Sequence, residues 1–157
     1  MKVDKGVGSY MISVNNTEFL HEPIRDHVIS SEKVAHVQVG NNCEHALLVL
    51  TKTGYSAIPV LDHEYRLRGL LSMGMITESI LGMERIEYER LSDMKVDELM
   101  QTDLPIVRID TEFRKVFDLL INHPFLCVED EEGMFAGIMT RRVLMKKLKK
   151  AVYTMPR

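Results

Sequence analysis

The sequence predicts an α/β fold in which two similar units of roughly 60 residues bury their apolar faces against each other. Three observations carry that expectation. First, Lys33–Asp62 (KVAHVQVGNNCEHALLVLTKTGYSAIPVLD) reads as strand, turn, helix and strand. Such a βαβ-like unit cannot bury its apolar face alone. Second, the pattern returns. YSAIPVLDHEYRLRGLLS aligns with FLCVEDEEGMFAGIMT at an offset of 68, which places Val60 on Val128, Asp62 on Asp130, Gly69 on Gly137 and Ser72 on Thr140. Upstream the offset is 70, with Val39 on Ile109 and Ala46 on Val116. Third, 157 residues at 45% hydrophobic content are the size of one domain or two tightly fused small ones.

Residues 1–20 are expected to form a flexible N-terminal segment, since Met1–Tyr10 shows no periodicity. Asn16 and Thr17 can cap a short helix carrying Phe19, Leu20 and Ile24, or the helix begins at Pro23. Val28 and Ile29 extend its apolar face. Val34–Val39 alternates around His36 and Gln38 as a strand. A Gly40-Asn41-Asn42 turn leads into a helix over Glu44–Lys52, stopped at Gly54. Ala57–Leu61 and Leu67–Leu71 are strands around a polar turn, and a helix spans about Met75–Leu81. Gly82 interrupts it, Glu84–Leu91 reads as another short charged helix, and Val96–Met100 as an apolar-faced turn. In the second unit, Val107 and Ile109 alternate within Pro105–Ile109. Thr111 caps a helix through Ile121, which His123-Pro124 stops. Leu126–Val128 and Phe135–Met139 are strands around EDEEG, and a last helix starts near Arg141 and runs through KKLKK. This gives a flexible segment (1–20), a first repeat with its connecting helix (21–92) and a second repeat with a basic C-terminal helix (93–157).

Composition narrows function. A net charge of −3 offers no overall basic footprint for DNA. No apolar run approaches the length of a membrane-spanning helix, and the N-terminus lacks an apolar signal core. The two cysteines, Cys43 and Cys127, lie far apart and read as buried thiols of a cytoplasmic protein. The six histidines show no metal-ligand spacing. Ser72 and Thr140 lack an evident histidine base, and there is no P-loop or paired carboxylate, so no catalytic residue, metal or cofactor is expected.

The motifs SAIPVLD and GLLS, repeated as VED and GIMT, resemble a tandem pair of cystathionine-β-synthase (CBS) domains, a Bateman module. The likeness covers roughly Pro23–Leu148. More narrowly, KVAHVQVGNN, LTKTGYSAIPVLD and MTRR resemble the small stand-alone CBS proteins of Gram-positive bacteria that bind cyclic di-AMP. The resemblance implies two βαββα-type repeats about a pseudo-twofold axis, dimerisation through helices, and a nucleotide-responsive regulator rather than an enzyme. It implies as partners the (p)ppGpp synthetase/hydrolase and, in some members, pyruvate carboxylase. Two alternatives remain: an AMP-, ADP- or ATP-sensing module of the same fold, and a ligand-independent interaction scaffold. AMP- and ATP-binding pairs carry a ribose-holding Asp three residues after the Ser/Thr. Here those positions are Met75 and Val143, which cannot accept a ribose hydrogen bond.

Carried over by position, the resemblance implies one cleft with Lys33, Val34, Ala35, Tyr55, Ser56, Ala57 and Ile58 facing Thr140, Arg141 and Arg142. The other would set Pro105, Ile106, Phe125 and Leu126 against Ser72, Met73 and Gly74. Only the first offers cations beside a helix N-terminus, so one phosphate-binding cleft per chain is expected. Tyr55 and Ile58 would wall an adenine slot, with Ala35 small enough to admit the base. Adjacent helix residues point about 100° apart, so one arginine should grip the phosphate. Arg142 is favoured, with Arg141 serving a second phosphate or a neighbouring chain.

Overall fold

The structure, a computed structural model, describes residues 17–153. The expectation for Met1–Tyr10 and the Asn16 cap lie outside that range. Among the described residues, seven strands and five α-helices follow in order: β1 (Ile29–Ser30), β2 (Val37–Gln38), α1 (Cys43–Thr53), β3 (Ala57–Leu61), β4 (Leu67–Ser72), α2 (Met73–Ser79), α3 (Val96–Leu99), β5 (Ile106–Arg108), α4 (Phe113–Asn122), β6 (Phe125–Glu129), β7 (Phe135–Thr140) and α5 (Arg141–Tyr153). They form a three-stranded sheet, β2-β3-β4, and a four-stranded sheet, β1-β7-β6-β5.

The two units repeat in detail. Ala57 pairs with Ser72 as Phe125 does with Thr140, and Val60 pairs with Gly69 as Val128 does with Gly137. Asp62 Oδ1 accepts the N–H groups of Glu64 and Arg66 at 2.9 and 3.0 Å, and Asp130 Oδ1 those of Glu132 and Met134, both at 2.9 Å. The left-handed residue of this turn is Gly133 (φ 79°) in one repeat and Tyr65 (φ 65°) in the other. Ser72 and Thr140 cap α2 and α5 by accepting the N–H of Met75 and Val143 at 3.1 Å.

Each repeat has its own core of helix against sheet. Leu50, Ile58, Leu71 and Ile76 anchor the first; Phe113, Leu120, Leu126 and Met139 anchor the second. Each such side chain, fully removed from water, stabilises the fold by about 1.5–3 kcal/mol before entropy is counted. A third cluster, with Val34, Leu61, Cys127 and Phe135 buried, joins the repeats. Backbone exchange reinforces the join. β1, at the entry to repeat 1, pairs with β7 of repeat 2, and the entry to repeat 2 pairs in turn with repeat 1: Leu70 and Gln101 exchange backbone hydrogen bonds of 2.9 and 2.8 Å. This crossover explains the repeated glycine. A Cβ on Gly137 would lie 1.9 Å from the Ile29 carbonyl oxygen, and one on Gly69 2.8 Å from that of Gln101.

Several expectations are corrected. The N-terminal helix is two 3₁₀ turns, Glu18–His21 and Arg25–His27, because Pro23 separates them. Ile29 then belongs to a strand. Glu84–Leu91 is not a helix: the Gly82 N–H turns back onto the Arg85 carbonyl, and only a 3₁₀ turn, Tyr88–Ser92, follows. The Thr111 hydroxyl accepts from Arg108 N–H, so Glu112 occupies the cap position of α4. Finally, α2 begins at Met73, two residues early, because Ser72 is its cap.

Candidate functional site

Between the repeats lies a cavity of about 370 Å³. Its walls are apolar: Ile29, Val34, Ala57, Pro59, Phe125 and Ile138. Its polar end is made by Ser56, Thr140 and Arg142, with Tyr55 at the mouth, 42% exposed. The cavity therefore draws on repeat 1, on repeat 2 and on the crossover segment at once.

The polar end is the start of α5. Its first three N–H groups divide as follows. That of Arg141 donates to the Pro124 carbonyl at 2.9 Å, and that of Val143 to the Thr140 hydroxyl at 3.1 Å. That of Arg142 has no partner among the described residues. Thr140, accepting through its oxygen, keeps its own proton to donate. The Arg142 guanidinium is exposed and likewise has no partner among the described residues. An open N–H, a hydroxyl and a free cation at a 13-residue helix's positive end form a site for an anion.

The symmetric position shows what makes this end special. At α2 the Met73 N–H donates to the Ser56 carbonyl at 2.8 Å and the Met75 N–H to Ser72, the same arrangement. The counterpart of Arg142 there is Gly74, which carries no side chain. The neighbouring cavity is only about 130 Å³, and no lysine or arginine lines it; Gln101, Pro105, His123 and Phe125 do. Of the residues expected on the second cleft, Pro105 and Phe125 are there. Ser72, Met73, Gly74, Ile106 and Leu126 are not, and Leu126 is fully buried in the repeat 2 core.

Of the ten residues expected on the first cleft, Val34, Tyr55, Ser56, Ala57, Thr140 and Arg142 line the cavity. Four do not. Ile58 is fully buried in the repeat 1 core, because alternate residues of β3 face opposite ways: Ala57 and Pro59 face the cavity and Ile58 the helices. Ala35 is half-buried against the same core. Lys33 is exposed on a 3₁₀ turn, Ser31–Lys33, beside Val34. Arg141 turns away: its Nε–H donates to the Leu120 carbonyl at 2.9 Å and an Nη–H to that of Ile121 at 3.4 Å, closing the C-terminus of α4.

Five lining residues escaped the sequence reading of this cleft: Ile29, Pro59, Pro124, Phe125 and Ile138. Ile29 and Ile138 meet through the β1–β7 pairing, which no local pattern announces. Pro59 was within reach, being two residues from Ala57 on a strand. It also limits the hydrogen-bond ladder. Leu70, its partner on β4, gives its backbone bonds to Gln101, so Pro59 turns its own backbone toward β2. Lacking an N–H, it cannot extend that parallel ladder backward, and β2 begins only opposite Val60. In repeat 2 the matching residue is Cys127, and there the ladder does extend, pairing Ile106 with Cys127. The proline thus ends the sheet at the cavity wall. Cys127 itself is buried, and desolvation, helped by Glu129, pushes its thiol up to about 12.

Two sheet-and-helix repeats that share a cavity at their junction define the class, and comparison identifies it. The CBS domain family model matches residues 24–82 and 96–150, and the chain belongs to that family. It is 53% identical over 142 residues to cyclic di-AMP receptor B of Bacillus subtilis (strain 168), covering 90% of this chain and 97% of that protein. Among solved structures, the CbpB protein of Listeria monocytogenes in complex with c-di-AMP is 55% identical, with a TM-score of 0.76 over 82% of this chain and 96% of that one. A CBS domain-containing protein of Bacillus anthracis is 55% identical with a TM-score of 0.80, over 85% and 96%.

Proposed function

We propose that this chain is a cytoplasmic regulator that binds cyclic di-AMP and controls partner proteins by ligand occupancy, without catalysing a reaction. The observation that carries the reading is the free Arg142 beside the open N–H of α5, at the polar end of an apolar cavity. The likeness to a cyclic di-AMP receptor and to a c-di-AMP-bound structure supports it. One adenine enters between Ile29, Val34, Pro59, Phe125 and Ile138, and one phosphate meets Thr140 and Arg142. Lys33, exposed beside Val34, serves the second phosphate. Residues 21–92 and 93–157 act as the two repeats. The chain dimerises through its helical surfaces. Its partners are of the classes the resemblance implies, the (p)ppGpp synthetase/hydrolase and pyruvate carboxylase. Ligand shifts partner binding only by its differential affinity for the free and partner-bound forms.

The test is calorimetry against cyclic di-AMP, cyclic di-GMP, AMP and ATP. Saturation at one cyclic di-AMP per chain is expected, with AMP and ATP much weaker because Met75 and Val143 offer no ribose acceptor. Saturation at two per chain, or equal affinity for AMP, overturns the reading.

A further inference from the structure

The two cavities between the repeats are copies of one another. Val34 and Leu104, Tyr55 and His123, and Ile138 and Leu70 stand at equivalent positions of the two units. The first of each pair lines the cavity of about 370 Å³ and the second that of about 130 Å³. None of these exchanges adds more than a methylene to the smaller cavity's wall. A fourth pair differs. Ala57 opens β3 and Phe125 opens β6, paired across their sheets with Ser72 and Thr140 in the same register. On each strand the residue two further on, Pro59 or Cys127, lines the same cavity, and the residue between is fully buried in its own core. Ala57 and Phe125 therefore occupy the same place, one with a methyl group and the other with a phenyl ring.

The difference shows in how far each cavity reaches. The first runs past Ala57 to Thr140 and Arg142 at the start of α5. The second is lined by Phe125 and stops short of Ser72 and Gly74, the equivalent residues at the start of α2. Phe125 is half-buried and packs on the cluster of Val34, Leu61, Cys127 and Phe135 that joins the repeats. Turning its ring out to water would uncover that cluster, so the ring stays in place. A missing cation removes one contribution to affinity among several, whereas a ring standing where a base must lie excludes the base.

We propose that Phe125 sets the number of ligands: standing where repeat 1 has Ala57, its ring closes the second cleft short of α2 and confines nucleotide binding to the first. The proposal rests on the cyclic di-AMP reading above and adds the residue that limits it to one site. The same ring is a wall of the first cavity, so one side chain supports the ligand on one side and shuts it out on the other.

The test is calorimetry with cyclic di-AMP on full-length variants, beside thermal melts. Gly74→Arg supplies the cation that the second cleft lacks, and a Cβ there is unobstructed, 3.8 Å from the Ser72 Oγ. Alone it should still saturate at one ligand per chain, because Phe125 keeps the cleft shut. Phe125→Ala combined with Gly74→Arg should saturate at two, with the first site weakened roughly tenfold by loss of its aromatic wall. Ala57→Phe copies the closed cleft into the first cavity. It should fold, as the equivalent phenyl does at Phe125, and bind cyclic di-AMP roughly a hundredfold more weakly. Two ligands per chain for Gly74→Arg alone, one for a folded double variant, or parental affinity in Ala57→Phe each overturns the proposal and leaves the one-ligand reading standing. If the double variant does not fold, Ala57→Phe still decides. A parent chain that binds no cyclic di-AMP overturns that reading and the proposal with it.

Discussion

Replacing Arg142 by methionine deletes the cation at the cavity's polar end while keeping an unbranched stem of similar reach. Because Arg142 has no partner among the described residues, its loss leaves no group stranded in the free protein. Folding should therefore be unchanged by thermal unfolding. The affinity loss follows from one charge-assisted hydrogen bond, worth about 1.5–3 kcal/mol. Arg142 is exposed, so water and salt screen it and the lower half of that range applies, roughly a ten- to fortyfold weaker cyclic di-AMP complex. Binding should survive at that reduced level, since the Arg142 backbone N–H, the Thr140 hydroxyl and the apolar walls remain. The parent's affinity should fall with added salt more steeply than the variant's. In a partner titration, Arg142→Met should bind the partner without ligand as the parent does, and fail to respond at ligand concentrations that saturate the parent. Arg141→Met is the control. It should cost about 1 kcal/mol of stability by releasing the Leu120 and Ile121 carbonyls, with little change in affinity. If Arg142→Met folds and keeps parental affinity while Arg141→Met loses it, the assignment of the phosphate to Arg142 is refuted.

Gly137→Ala should destabilise the chain by about 3 kcal/mol or more, since its Cβ would meet the Ile29 carbonyl oxygen at 1.9 Å with φ at 145°. Gly69→Ala should cost less, because its backbone clash is milder, 2.8 Å from the Gln101 carbonyl oxygen, and its nearest atom is the flexible Met100 sulfur at 2.6 Å; denaturant melts rank the two. Pro59→Ala restores an N–H that can lengthen the β2–β3 ladder, so cyclic di-AMP affinity should drop while thermal stability holds, and calorimetry beside a melt separates the effects. Burial holds the Cys127 thiol protonated up to about 12 against 9.0 for a free one. Below pH ~9 both folded and unfolded chains keep the proton. Between ~9 and ~12 the unfolded chain releases it first, so stability should decline across that window in the parent, and less in Cys127→Ala.

The architecture was legible because it is written twice. Gly69 and Gly137, Asp62 and Asp130, Ser72 and Thr140 occupy the same places in each repeat; the Asp and Ser/Thr pairs bond their own turns and helix starts, and the glycines make room for the crossing backbone of Gln101 and Ile29. The charge asymmetry of the clefts was legible too, as Arg142 against Gly74. Local breaks were harder. Pro23 and Gly82 both signalled interruption, yet whether a helix resumes after each depends on what the following backbone can bond to, and at Gly82 it bonds back to Arg85.

What the sequence alone determined is thus the repeat, the α/β class and the difference in charge between the starts of α2 and α5, since these depend on residue type and local spacing. What only the tertiary structure decided is which side chains meet in the cavity. Ile29 reaches it because β1 crosses to β7, a pairing set by packing between segments over a hundred residues apart. Ile58 misses it because the sheet has two faces and the repeat 1 helices claim one of them. Arg141 misses it because the carbonyls ending α4 lie within its reach, and a helix turn of about 100° sends it there and Arg142 to the cavity.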